Sequence, residues 1–75
     1  MGILAGISGK RAVKCFVKFG YCVVRQKGSH MRLKHPVVSQ HKALTIPSHK
    51  ELKLGLLTQL IKDAGITVEE FLDLM

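Results

Sequence analysis

The stretch Tyr21-Cys22-Val23-Val24-Arg25-Gln26-Lys27-Gly28-Ser29-His30-Met31-Arg32-Leu33-Lys34 reads as two β-strands joined by a two-residue turn. Tyr21 to Gln26 is rich in residues that favour extended backbone, and Gly28-Ser29 is a Gly-X hairpin signal of the type II′ kind. That turn sets a register in which Lys27 faces His30, Gln26 faces Met31, Arg25 faces Arg32 and Val24 faces Leu33. Alternation then places Cys22, Val24, Met31 and Leu33 on one face, and Arg25, Lys27, His30, Arg32 and Lys34 on the other. One register thus yields both an apolar face and a cationic face carrying a single histidine, an agreement that supports the hairpin.

On the N-terminal side, Ser8 is a good N-cap for a helix whose apolar stripe is Ala12, Val13, Phe16, Val17 and Phe19, with Cys15 nearby. Gly20 ends it as a C′ glycine. Lys10, Arg11, Lys14 and Lys18 fall on the wet side. Lys10 and Arg11 in the first turn oppose the helix dipole, a small cost that a bound anion would relieve.

On the C-terminal side, Pro36 to His41 is a loop, and Lys42 to Ile46 is a third strand with Leu44 and Ile46 inward, ended by Pro47. Ser48-His49-Lys50-Glu51 fits a capping box, but Gly55 follows soon after, so the main helix starts near Lys53 or Leu54. Leu56, Leu57, Leu60, Ile61 and Ala64 form its apolar face, and Gly65 stops it. Thr67-Val68-Glu69-Glu70 is a second capping box, opening a short helix with Phe71, Leu72 and Leu74. The order is α-β-β-β-α with a short C-terminal helix. The expected class is α+β: a three-stranded antiparallel meander with helices packed on its apolar face. The opposite face is left to solvent or a ligand.

Seventy-five residues are expected to make one small domain spanning residues 1–75. A core this small gains from a partner, either a second copy or a different chain. The formal net charge is +7, and it is unevenly spread: residues 1–50 hold ten Lys or Arg and no Asp or Glu, whereas residues 51–75 hold two Lys and five acids. The basic part suits nucleic acid, an anionic membrane surface or an acidic protein. Met1 to Ile7 is apolar but lacks a charged leader region and is too short for a membrane span, so the expectation is a cytoplasmic protein with Cys15 and Cys22 reduced.

Several motifs point nowhere. The glycines at Gly2, Gly6 and Gly9-Lys10 have the wrong spacing for a phosphate-binding loop, and Met1-Gly2 fails the myristoylation pattern. His30, His35, His41 and His49 show no metal-ligand spacing and lie among cations, so no metal or other cofactor is expected. His35 and His41 read as solvated turn residues, and His49, beside Lys50 after Pro47, is the second functional candidate or equally a capping-loop residue. His30 differs, because it stands at a hairpin tip between Arg25, Lys27 and Arg32. A histidine exchanges protons near neutral pH, and cations hold a polyanion.

Ser8-Gly9-Lys10, Gly20-Tyr21 and Arg25-Gln26-Lys27-Gly28-Ser29-His30 resemble the start of the HicA toxins, also called the YcfA-like family. Leu44-Thr45-Ile46-Pro47, Lys50-Glu51-Leu52-Lys53, Gly55 and Ala64-Gly65-Ile66 resemble the remainder, so the similarity runs in order from about Ile7 to Leu74. The resemblance implies a fold like the double-stranded RNA-binding domain (dsRBD-like) and a ribonuclease toxin that cleaves mRNA and is held inactive by a HicB-type antitoxin. The family's active histidine is that of its Gly-Ser-His motif, which falls on His30. Val37-Val38-Ser39-Gln40 departs from the short Asp-Gly turn of many members, so a different loop geometry is expected there. Leu54 stands where proline is frequent, which leaves that helix start less defined.

Three classes of function follow. As a metal-independent endoribonuclease, the chain would use His30 as general base on a ribose 2′-hydroxyl or as general acid to the leaving oxygen. Arg25, Lys27 and Arg32 would hold the phosphate, Gly28 and Ser29 of the presenting turn would also contact the RNA, and Lys10 and Lys50 would be outer phosphate contacts. As a non-catalytic module like a double-stranded-RNA-binding domain, it would hold RNA mainly through phosphates, because its aromatic residues are few. As an interaction protein, its cationic face would meet an acidic partner in a toxin–antitoxin hetero-oligomer.

Overall fold

The computed structural model describes residues 4–37 and 39–75. Met1, Gly2 and Ile3 of the apolar start and Val38 of the Val37-to-Gln40 segment lie outside the described residues. Six elements follow one another: α1 (Gly9–Phe19), β1 (Cys22–Lys27), β2 (His30–Lys34), β3 (Leu44–Pro47), α2 (Leu54–Ala64) and α3 (Val68–Asp73). The strands form an antiparallel sheet in the order β1-β2-β3. The chain is therefore α+β, a three-stranded antiparallel meander with helices, consistent with the dsRBD-like architecture.

Local chemistry accounts for the element ends. The Ser8 hydroxyl accepts from the Arg11 amide at 3.1 Å, capping α1. Gly20 closes that helix at φ 125°. Gly65 closes α2 in the left-handed region at φ 75°. Thr67 and Glu70 make the reciprocal capping box at the start of α3. The Ser48-to-Glu51 box does not form. Ser48 N–H instead donates to Ser29 O at 2.6 Å, and the Glu51 carboxylate accepts from Gly6 N–H at 3.2 Å. As a result α2 begins at Leu54 without a side-chain cap.

The core joins Ala12, Cys15 and Phe16 of α1, Met31 and Leu33 of β2, Leu44 and Ile46 of β3, Leu57, Leu60, Ile61 and Ala64 of α2, and Phe71 of α3. Its centre is a tilted Phe16–Phe71 pair with ring centroids 5.2 Å apart. Two residues assigned inward are outward. Val17 is 44% exposed, because it lies roughly 140° around the helix from Ala12. Leu56 is 37% exposed beside the fully buried Leu57.

The third strand is shifted relative to the sequence expectation. It runs from Leu44 rather than Lys42, and Pro47 is part of it, opposite His30. Lys42 is drawn out of the ladder because its N–H donates to Asp63 O at 3.0 Å and its carbonyl accepts from the Tyr21 hydroxyl at 2.8 Å. Pro47 is tolerated because β3 is an edge strand, where no ladder N–H is required of it.

The expectation that His35 and His41 are solvated is also corrected. Both are half-buried, with ring centroids 4.2 Å apart, and both pack against Phe19 and Tyr21. His41 Nδ1–H donates to Ala64 O at 2.6 Å, and His35 Nδ1 accepts from Val37 N–H at 3.0 Å. This ring cluster ties the β2–β3 loop to the end of α1 and the end of α2. It anchors the end of the sheet opposite the Gly28-Ser29 turn.

Close packing at the other end is set by Gly9. Its N–H donates to His49 O at 2.9 Å, and a Cβ added there would overlap the Pro47 carbonyl. Gly9→Ala should therefore lower unfolding free energy by about 1–3 kcal/mol, read as a lower urea midpoint at unchanged slope. Gly55→Ala, where an added Cβ meets open space within α2, should raise it by roughly 0.5–1 kcal/mol. Burial, and secondarily the Asp63 charge, push the Tyr21 phenol up from 10.0 to about 12. Because the folded value lies above the unfolded one, this contribution to stability is complete below pH 10 and lost as pH rises towards 12. Ultraviolet titration of the phenol together with alkaline unfolding curves checks it, and Tyr21→Phe should abolish that alkaline loss.

Candidate functional site

The β1–β2 hairpin builds the site. Gly28 has φ 59°, and among the described residues no other residue type takes positive φ, which is the pattern of a type II′ turn. Lys27 pairs with His30, Gln26 with Met31 and Arg25 with Arg32, as the turn predicts. Beyond that point the register shifts. Val23 rather than Val24 stands opposite Leu33, and Cys22 stands opposite Lys34. Val24 is the extra residue of a β-bulge.

The bulge overturns the inward assignment of Cys22 and Val24. Cys22 is turned to the side of Lys34, Val23 takes the inward side, and Val24 is 52% exposed. Every residue of β1 is exposed, because α1 and α2 pack over β3 at the far side of the sheet. On β2 the alternation holds: Met31 and Leu33 are buried, and His30, Arg32 and Lys34 are exposed.

On the outer face of the sheet lies an open recess of about 630 Å³, lined by Val24, Arg25, Lys27, His30, Arg32, Lys34 and Thr45. Four of the sequence-assigned residues, Arg25, Lys27, His30 and Arg32, therefore line one hollow. No acid lines it, so the field there is uniformly positive and suits an anion. Arg32 is the most firmly held of these cations. Its Nη1 donates to Thr45 Oγ1 at 2.7 Å across the β2–β3 pairing, which limits the swing of the guanidinium and leaves its other N–H groups for a ligand.

The remaining assigned residues do not line the recess. Gly28 and Ser29 form the turn beside His30, with Ser29 O accepting from Ser48 N–H. Lys10 lies in the first turn of α1, which the Gly9-to-His49 backbone bond brings to the 48–50 segment. Lys50 is exposed in that segment, next to the exposed His49. This end of the molecule thus gathers the α1 start, the hairpin turn and the segment after β3.

Three lining residues stand outside the sequence assignment. Lys34 was placed on the cationic face but not assigned to the site. Thr45 was legible, because it alternates with the inward Leu44 and Ile46. Val24 carried no local signal, since a bulge shows only in the pairing of two strands. Among the described residues, no three His, Cys, Asp or Glu side chains gather where they could hold a metal ion. Nor is any described helix long and apolar enough to cross a membrane. The recess thus brings one imidazole together with four cationic side chains, a hydroxyl and a valine.

A family model described as the HicA toxin of bacterial toxin-antitoxin matches residues 9–66. That span runs from the start of α1 to just beyond α2 and includes every residue lining the recess. None of the curated proteins matches the chain.

Proposed function

The chain belongs to the HicA toxin family of bacterial toxin–antitoxin systems, and from that premise we propose that it is a metal-independent endoribonuclease acting on mRNA in the cytoplasm. The observation that carries this reading is His30 in the lining of an acid-free cationic recess. RNA supplies what such a recess lacks: a continuous anion with a 2′-hydroxyl beside each phosphate.

Arg25, Lys27 and Arg32 bind the phosphate at which the strand is cut, with Lys34 extending the path and Lys10 and Lys50 as outer contacts. His30 moves the proton, as base on the 2′-hydroxyl whose oxygen attacks the adjacent phosphorus, or as acid to the 5′-oxygen that leaves. Charge builds on the non-bridging oxygens as the new P–O bond forms and the old one breaks. Preorganised cations stabilise that charge without moving, and Arg32, already bonded to Thr45, is the best placed to do so. Gly28 and Ser29 carry no proton chemistry; they fix the turn that presents His30. A single imidazole without a carboxylate in the lining supports a modest rate, and a modest rate is sufficient for a toxin.

A HicB-type antitoxin neutralises the toxin by covering the same face. The matching surface on that partner is acidic, because it must replace phosphates over Arg25, Lys27 and Arg32.

His30→Ala should abolish RNA cleavage, a loss of ~10²–10⁴-fold or more, and with it the growth arrest on expression. His30 is exposed, so the variant should keep the wild-type circular dichroism spectrum and unfolding midpoint. Wild-type cleavage by folded His30→Ala would refute the assignment. RNA retarded on a gel but left intact by the wild-type protein would favour a binding module. Activity should survive EDTA, and its loss would require a metal.

A further inference from the structure

The bulge at Val24 has a chemical consequence for the recess. Without the register shift, Val24 would stand opposite Leu33 on the inward side. The shift instead turns it outward, beside Arg25, with 52% of its surface exposed. The lining is then five ionisable cationic or imidazole side chains, one hydroxyl and one β-branched hydrocarbon. A lone exposed valine is ordinary on a protein surface. A valine moved by a bulge among lining residues that otherwise all end in a polar or charged group is not, because bulges recur where a side chain is re-aimed. Its neighbour Val23 is almost equally exposed, at 46%, but stands on the other side of the strand, opposite Leu33.

We propose that Val24 is an apolar platform for an unpaired nucleobase, so that the recess takes a single-stranded segment of RNA and not a duplex. This rests on RNA being the ligand of the recess. A ligand that matches the whole lining must carry anionic groups and an apolar flat surface within the span of one strand. A single-stranded nucleotide offers both: its phosphate meets Arg25, Lys27 and Arg32, and its splayed base lies against the Val24 methyls. In a duplex the base faces are hidden in the stack, so Val24 would meet no apolar partner while the cations still met phosphates. The Arg32–Thr45 bond supports the same arrangement, since a fixed guanidinium defines where the phosphate sits relative to Val24.

The test is fluorescence-anisotropy binding at several salt concentrations in the His30→Ala background, which prevents cleavage. The probes are a labelled unstructured RNA oligonucleotide, its blunt duplex, and an abasic strand of equal length. Val24→Ala should weaken binding of the single strand roughly three- to tenfold, as expected for losing two methyl groups that the base covers only in part. It should leave duplex and abasic binding unchanged and keep the slope of log Kd against log salt, because the phosphate contacts remain. Val24→Phe should tighten the single strand alone, and Val23→Ala should change none of the three. Val24→Thr keeps the shape and β-propensity, and it should reproduce part of the Val24→Ala loss even if the alanine variant folds poorly. Equal loss on all three probes, or no loss on any, overturns the platform. Loss of antitoxin neutralisation by Val24→Ala with RNA binding intact overturns it as well and makes Val24 a protein contact. Failure of the parent protein to bind any RNA in a salt-dependent way would instead refute the ribonuclease reading itself.

Discussion

The pairing of Lys27 with His30 across the Gly28-Ser29 turn decides on which side of the sheet every later side chain of β2 falls. Strand alternation has a period of two, so a slip of one residue would bury His30 and Arg32 and expose Met31 and Leu33. That exchange would put a histidine and cations into the core beside Phe16 and Phe71. The turn and the core therefore enforce the same register from opposite ends. The cationic face exists because the apolar face is buried.

The two ends of the sheet are held by different means. At one end, rings of Phe19, Tyr21, His35 and His41 pack together, and the Lys42 N–H bond to Asp63 O and the His41 ring bond to Ala64 O fasten the β2–β3 loop to α2. At the other, Gly9, Ser29, Ser48 and His49 meet through backbone bonds, with no room for a Cβ on Gly9. The ring-packed end is a structural anchor. The backbone-packed end leaves its side chains free to face outward, and His30 stands beside it. Rigidity there comes from main-chain contacts, so polar side chains can serve a ligand instead of the fold.

Features governed by neighbours in sequence were legible before the structure. The type II′ turn, the Ser8 cap, the Thr67–Glu70 box and the alternation of β2 each depend on a few consecutive residues. Features governed by what packs where were not. Val17 and Leu56 have apolar chemistry at nearly helical spacing, and only the position of the covering elements turns them outward. His35 and His41 carry no local sign that the one loop between β2 and β3 will bring their rings together. The Ser48–Glu51 motif has the right residues, but Ser29 and Gly6 compete for its groups. In the site, Arg25, Lys27, His30 and Arg32 were legible from the turn. Val24 was not, because the bulge arises from how β1 accommodates β2 where no helix covers it.

On the proposed function, RNA is received by the outer face of the hairpin, with Lys10 and Lys50 only as outer phosphate contacts. The most direct test is nuclear magnetic resonance of the isotope-labelled protein titrated with a 2′-O-methyl RNA strand, which binds but lacks the attacking hydroxyl. The account predicts perturbed signals at Val24, Arg25, Lys27, His30, Arg32 and Thr45, with Met31 and Leu33 of the same hairpin shifted far less. Perturbation concentrated on the outward residues of α1 or α2, with the His30 ring unchanged, would contradict it.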